Sequence, residues 1–197
     1  MNAQLSAFQR HTGSQRNTQV WQDRISALDF ALQPIVSIHT GQALGYECLL
    51  RDMPLAGLER PADFFDAAHA EQMLSVVEHA LREKALRKFA TIPHHAATRL
   101  FLNVDGRYFE TAHPPDDPTP GLLKKLNLPA ATLCLEISER HPLLNRREVQ
   151  AMLAAMRKAD IRIALDDFGT GFSGLQALYI AQHSCPKQVT GMAQLMG

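Results

Sequence analysis

Two adjacent carboxylates, Asp166 and Asp167, stand at the end of the apolar run Ile163-Ala164-Leu165, and the glycine-spaced turn Phe168-Gly169-Thr170-Gly171 follows them. A strand that delivers two acids at its mouth incurs desolvation and mutual repulsion, and a bound cation is one way to offset both. Solvent is another, with Asp167 capping a following helix at a wet strand end. On this stretch alone the two readings weigh equally. Further candidates lie upstream. Glu47 and Arg51 are four residues apart in Glu47-Cys48-Leu49-Leu50-Arg51, so on an extended strand they share a side. They suit either a simple ion pair or a metal ligand beside a phosphate clamp.

The strand ends carry the pattern further. Leu100-Phe101-Leu102-Asn103, Thr132-Leu133-Cys134-Leu135-Glu136 and Arg162-Ile163-Ala164-Leu165-Asp166 are short apolar runs, each ending in an oxygen-bearing side chain. Asn103 and Glu136 are 33 residues apart and Glu136 and Asp166 are 30 apart, with helical stretches near 121–126 and 146–158 between them. That rhythm predicts βα units and neighbouring parallel strands. Alternation puts Phe101 with Asn103, Cys134 with Glu136, and Ala164 with Asp166 on common faces. If those faces point inward, Glu47, Asn103, Glu136 and Asp166 converge at the carboxyl end of one sheet, where α/β barrels place their chemistry. Four oxygen donors without His or Cys suit a hard cation such as Mg²⁺ or Mn²⁺.

The elements that must position these residues are legible in order. Residues 1–24 are rich in polar side chains and are read as a flexible lead, with one helical turn near Trp21. Phe30–Ile38 and Ala43–Arg51, joined by Thr40-Gly41-Gln42, predict an antiparallel hairpin. Pro61 opens one helix, and a longer one is predicted from about Glu71 to Lys88, where Leu74, Val77, Leu81 and Ala85 repeat at helical spacing. Its basic residues Arg82, Lys84, Arg87 and Lys88 are read as a solvated face. The His94-His95 pair reads as solvent-facing loop, and Asp116-Asp117 between prolines as a turn.

Composition bounds the rest. A chain of 197 residues, 46% hydrophobic and 20% charged, has the make-up of one soluble domain with a sizeable core. Twenty basic residues balance twenty acidic ones, so no overall field recruits DNA or an anionic membrane. Cys48, Cys134 and Cys185 form no CxxC pair and point to a reducing compartment. With no membrane-length apolar run and no signal-peptide core, a cytoplasmic protein is expected.

Gln33-Pro34-Ile35-Val36, Tyr46-Glu47-Cys48-Leu49-Leu50-Arg51, Leu102-Asn103-Val104, Leu135-Glu136-Ile137-Ser138-Glu139 and Asp166-Asp167-Phe168-Gly169-Thr170-Gly171-Phe172-Ser173 together resemble the successive motifs of the EAL family, over about Leu28 to Leu175. Members of that family are bacterial cyclic di-GMP phosphodiesterases on a modified TIM barrel. The resemblance implies an α/β fold of that type with an N-terminal antiparallel hairpin. It implies Glu47, Asn103, Glu136 and Asp166 as ligands of one metal and Asp167 as ligand of a second. Glu47, Asp166 and Asp167 are then the catalytic residues, Gln33 and Arg51 contact the dinucleotide, and Glu139 and Thr170 steady the site. The implied reaction is metal-dependent hydrolysis of cyclic di-GMP to linear pGpG.

The chain departs from the pattern in three places. Cys48 stands for the usual alanine, and Asn103-Val104-Asp105-Gly106 for Asn-Val-Ser-Pro, which adds charge near the metal cluster and loosens the turn. After Leu175 the strands that would carry a water-activating lysine and another glutamate are not recognisable, and Lys187 sits in no apolar strand. A complete barrel takes ~250 residues. The expected organisation is therefore a lead over 1–24, a partial EAL domain over 25–175 and an atypical tail over 176–197. A coding region truncated or shifted in frame near residue 180 would produce it, and an open barrel edge predicts a homodimer or swapped assembly that covers it. Three functions compete: a working phosphodiesterase, a catalytically silent cyclic di-GMP binder, and a protein-interaction module.

Overall fold

β1 (Asp29–Val36) and β2 (Ala43–Arg51) form an antiparallel hairpin, as the alternation predicts. The turn closes where Gly41 adopts φ 68°, a conformation glycine takes without strain, and its N–H donates to the carbonyl of Ser37 (2.8 Å). The computed structural model describes residues 17–93, 95–111, 117–138 and 147–166. Three parallel strands extend the hairpin, β3 (Arg99–Val104), β4 (Leu133–Ser138) and β5 (Arg162–Asp166), giving one sheet in the order β1-β2-β3-β4-β5. Sequential order with parallel pairing is what crossovers of about thirty residues build.

The helices supply those crossovers. A first helix, α1, covers 17–27. α2 (Pro61–Ala70) and α3 (Leu74–Phe89) lie between β2 and β3. A single turn, α4 (Tyr108–Thr111), and α5 (Thr119–Lys125) lie between β3 and β4, and α6 (Arg147–Lys158) precedes β5. Proline at the first turn opens α2, where its missing N–H has no helical partner to lose. One sheet face carries Phe30, Cys48, Leu100, Leu102, Val104, Leu133, Leu135, Ile137 and Ile163 and packs with the helices as the main core. Strand alternation gives the other face a separate small cluster of Phe101, Cys134 and Ala164, with Ile35 against it. An α/β sheet with its helices on one face and a second apolar layer on the other is the wall of a barrel.

The N-terminal reading needs correction. In place of one turn near Trp21, α1 makes three, and Trp21, Ile25 and Leu28 are buried in the main core. The Trp21 ring meets Phe64 edge-on at 5.3 Å, and its Nε1–H donates to Glu71 Oε2 at 2.9 Å. Polar composition hid an apolar spacing of four and three residues, which is one helical stripe.

The basic cluster of α3 is also corrected. Arg87, paired with Glu83 at 2.6 Å, and Lys88, whose side chain is 37% exposed, behave as surface residues, but Arg82 and Lys84 do not. Arg82 is 1% exposed and lies 4.9 Å over the Tyr108 ring. Its Nη1 donates to Thr119 Oγ1 (2.8 Å) and Asp117 Oδ2 (3.2 Å), and the Tyr108 hydroxyl also donates to Asp117. Asp117 is therefore the counter-ion of a buried arginine. Although burial works in the opposite direction, Arg82 and the hydrogen bonds from Thr119 and Tyr108 hold its carboxyl below the usual range. Asp116 lies outside the described residues. Lys84 Nζ donates to the carbonyls of Ile25 (3.0 Å), Ser26 (2.9 Å) and Leu28, closing the end of α1 as a cationic cap. Lys88 pairs with Asp29 at 2.6 Å. Likewise His95 is half-buried, with Nδ1 2.9 Å from the Ile92 carbonyl and its ring against Phe89, so it does not face solvent, and His94 lies outside the described residues.

Candidate active site

The register of the sheet decides which residues meet. Gln33 pairs with Glu47 and Glu47 with Phe101, while Asn103 pairs with Glu136 and Glu136 with Ala164, which stands two residues before Asp166. Paired positions point the same way, so Gln33, Glu47, Asn103 and Glu136 share the face that carries Phe101, Cys134 and Ala164. Each polar position stands one step above an apolar or empty one on its own strand. Gln33 is above Ile35, Glu47 above Gly45, Asn103 above Phe101 and Glu136 above Cys134. The backbone position of Asp166 continues the series beyond Ala164 at the carboxyl end of β5. The site thus has an apolar floor and an oxygen-bearing rim at the carboxyl ends of the parallel strands.

The floor explains one residue type directly. A Cβ on Gly45 would lie 2.7 Å from Phe101 Cε2 and 2.8 Å from the Arg99 carbonyl oxygen. Only glycine lets the Phe101 ring cross beneath Glu47. Cys134 is buried, and burial followed by the negative charge of Glu136 pushes its thiol up to about 12. Cys48, on the opposite face in the main core, is likewise pushed up to about 12 by burial. It is 2% exposed there. As the two side chains stand, both are protonated thiols at neutral pH.

Exposure divides the rim. Glu136 is 2% exposed, Glu47 is half-buried, and Gln33, Asn103 and Arg51 are exposed. Glu47 and Arg51 form no ion pair with each other among the described residues, and Arg51 Nη1 donates to the Leu50 carbonyl at 3.0 Å. Among the described residues no group of three His, Cys, Asp or Glu side chains is gathered tightly enough to hold a metal ion by itself. Asn103 is an amide outside that count, the Asp166 side chain is not described, and Asp167, Glu139 and Thr170 lie outside the described residues.

Beside the rim a cavity of about 380 Å³ runs between the sheet and the helices, lined by Arg51, Asn103, Phe65, Glu78, Arg82 and Asp105 among others. Glu78 is the residue that sequence reasoning passed over. It is 3% exposed, and burial pushes its carboxyl up to about 7 against the opposing pull of Arg82 and of the Asp105 N–H. Glu78 Oε2 lies 3.8 Å from Arg82 Nη2. The signal was present as an acid and a base at i and i+4 inside the apolar stripe of α3, where a solvated pair has no place. Asp105 also differs from expectation. Its charge is held by Arg107, at 2.6 Å and 2.9 Å, and does not stand open toward the metal positions.

Comparison with known proteins places this geometry. The sequence model of the EAL domain matches residues 19–182. The chain is 29% identical over 160 residues to the probable cyclic di-GMP phosphodiesterase PdeI of Escherichia coli, covering 79% of this chain and 20% of that protein. It superposes on the EAL enzyme Bd1971, in a form bound to cAMP and cyclic di-GMP, with a TM-score of 0.67 and 28% identity over 90% of this chain and 49% of that one. The Bacillus subtilis YkuI protein, in complex with substrate c-di-GMP and calcium, aligns with a TM-score of 0.63 and 25% identity over 80% of this chain and 40% of that one. The chain spans between 20% and 40% of the length of curated relatives such as PdeI and PdeL.

Proposed function

The chain belongs to the EAL-domain family, and from that membership we propose that it binds cyclic di-GMP over the carboxyl ends of its parallel strands and takes part in metal-dependent hydrolysis to pGpG. The observation that carries this reading is the common face of Gln33, Glu47, Asn103 and Glu136 above an apolar floor, with the Asp166 position continuing the rim.

The donor set fits a divalent cation. All the rim ligands offer oxygen, and a carboxylate as buried as Glu136 gains from a neighbouring positive charge. We assign Glu47, Asn103, Glu136 and Asp166 to one ion, Mg²⁺ or Mn²⁺, and Asp167 to a second. Such ions, when bound, withdraw charge from the phosphodiester and make an attacking water more acidic. The chain's own residues do the rest. We assign Arg51, which is exposed at the end of β2, to grip a phosphate as a planar fork. Gln33, exposed on β1 opposite Glu47, presents an amide to the dinucleotide. The apolar floor keeps water from beneath the carboxylates, which strengthens every charge interaction above it. Glu139 and Thr170 are assigned to steadying the site.

Two further assignments accompany this one. We propose that a partner, such as a second copy of the chain, covers the outer edge of β5, which among the described residues pairs only with β4; a one-chain mass in light scattering would refute it. No helix among the described residues is long and apolar enough to cross a membrane, and Cys48 and Cys134 are free, which supports the cytoplasm as its location.

The test is incubation of the chain with cyclic di-GMP and Mn²⁺ or Mg²⁺, with chromatography for pGpG. Turnover that vanishes in Glu47→Ala supports the hydrolase. Binding of cyclic di-GMP that depends on metal and on Glu47, without pGpG, turns the proposal into that of a silent binder. No binding with or without metal refutes it and leaves the interaction module.

A further inference from the structure

β3 ends at Val104, one residue past the ligand position Asn103, and Asn103 itself is exposed. An exposed strand end frays unless something holds the chain as it leaves the sheet. Two struts from the helix side do so here. The backbone N–H of Asp105 donates to Glu78 Oε1 on α3 at 2.9 Å. The Asp105 carboxylate accepts from the Arg107 backbone N–H (3.0 Å), Nε (2.9 Å) and Nη2 (2.6 Å), and Arg107 Nη2 also donates to Asp66 Oδ1 on α2 at 2.8 Å.

Of these side chains only Asp66 lies at the surface, 43% exposed. Glu78 is buried, and the Arg107 side chain is 15% exposed. The sequence context gives the struts a purpose. Where the resembled pattern has Ser-Pro, with a ring that stiffens the backbone, this chain has Asp105-Gly106. Glycine would leave the junction free. An Asp105 gripped from three sides restores the stiffness through side chains instead.

We propose that Glu78 and Arg107 are positioning residues for Asn103, locking the junction after β3 from the helix side so that the Asn103 amide is held level with Glu136. The proposal rests on the reading of the rim as a metal centre. Glu78 and Arg107 touch neither metal nor substrate positions in this scheme. They act through the backbone of Asp105, as outer-shell partners of ligands do.

The test uses the whole chain, Mn²⁺ alone as probe, and two readouts. One is hydrogen exchange of the Asp105 amide by NMR, and the other is Mn²⁺ affinity by electron paramagnetic resonance. Glu78→Ala removes the acceptor, whereas Glu78→Gln keeps an oxygen for the Asp105 N–H. In Glu78→Ala the Asp105 amide should exchange faster and the Mn²⁺ dissociation constant should rise roughly 10- to 100-fold, the range for outer-shell loss. Glu78→Gln should keep both at the wild-type value. Arg107→Ala, which leaves the core of α3 intact, should move both readouts in the same direction and serves if Glu78→Ala does not fold. Faster exchange with unchanged Mn²⁺ affinity overturns the proposal, as does a Glu78→Gln that falls as far as Glu78→Ala. A wild-type chain that binds no Mn²⁺ while its Asp105 amide stays protected overturns the metal reading itself, and the proposal with it.

Discussion

Glu78→Gln also isolates the energetic cost of a buried acid. Burial pushes the Glu78 carboxyl from 4.5 in its ordinary state to about 7, despite Arg82 and the Asp105 N–H. The unfolded chain releases this proton near 4.5 and the folded chain near 7, so between those values the folded state binds more protons. Stability must then fall as pH rises through that window, with nothing lost below it and the full penalty present above it. A shift of this size corresponds to roughly 3 kcal/mol, taking about 1.4 kcal/mol per pKa unit. Glutamine carries no charge at any pH and keeps the acceptor for the Asp105 N–H.

Two neighbours titrate nearby and must be separated. Burial first, and then Arg82, lower the His79 pKa, so His79 costs stability as pH falls below its ordinary 6.5, opposite in sign to Glu78. The Asp117 carboxyl is held below its ordinary 3.8, so its effect belongs to more acid solution. Both are common to the wild type and the variant and cancel in the difference between them. The assay is urea unfolding of both chains from pH 5 to pH 8. Glu78→Gln should exceed the wild type by less than about 1 kcal/mol at pH 5 and by up to roughly 3 kcal/mol at pH 8. A difference that does not change with pH, or a variant less stable at pH 8, refutes the reasoning. The 3.8 Å contact with Arg82 would then be holding Glu78 ionised.

Two further outcomes follow from single contacts. Gly45→Ala puts a methyl 2.7 Å from the Phe101 ring and 2.8 Å from the Arg99 carbonyl, and overpacking of that kind should cost about 1–3 kcal/mol in a denaturant melt while weakening Mn²⁺ binding through Glu47 above it. Lys84→Met keeps most of the aliphatic stem but removes the donor to three carbonyls at the end of α1, and should lower stability by about 1–3 kcal/mol, with hydrogen exchange rising in α1 before the rest of the chain.

What the sequence disclosed and what it hid follow the range of the interactions. The hairpin and the βα rhythm depend on alternation and spacing, so Asp29–Arg51 and the strands ending near Asn103, Glu136 and Asp166 were legible. The face shared by Glu47, Asn103 and Glu136 was legible for the same reason, because alternation along each strand and pairing between strands obey one period. The role of α3 was not. It is buried over a wide arc that takes in Glu78 and Arg82 as well as Leu74, Val77, Leu81 and Ala85, so a single apolar stripe understated how much of it faces protein. The partners that make those charges tolerable are far along the chain. Asp117 is 35 residues from Arg82, and Asp105 is 27 from Glu78. Local pattern can flag Glu78 and Arg82 as charges inside an apolar arc, but it carries no trace of the distant partners that stabilise them.

The register also explains how oxygen-bearing residues spread over four strands can serve the one site proposed for them. From β2 to β3 the rim climbs two residues, since Glu47 is level with Phe101 but the rim residue of β3 is Asn103. From β3 to β4 it stays level, and from β4 to β5 it climbs two again, from the level of Ala164 to Asp166. In a flat sheet with upright strands those steps would scatter the four positions along the strand direction. In a barrel wall the strands tilt by ~36° and the register shears by about one residue per strand, so a circle of constant height climbs the register in the same sense at every strand. A rim residue must also face inward, which allows only even steps, and two climbs of two with one level step are how even numbers approximate that slope over three strand-to-strand intervals. The oxygen-bearing residues therefore stand at the positions a tilted wall brings to one height, while Gly45, Phe101, Cys134 and Ala164 form the layer directly beneath. Moving any one of them by a single residue would turn it into the helix-packed core, and moving it by two would drop it into the floor.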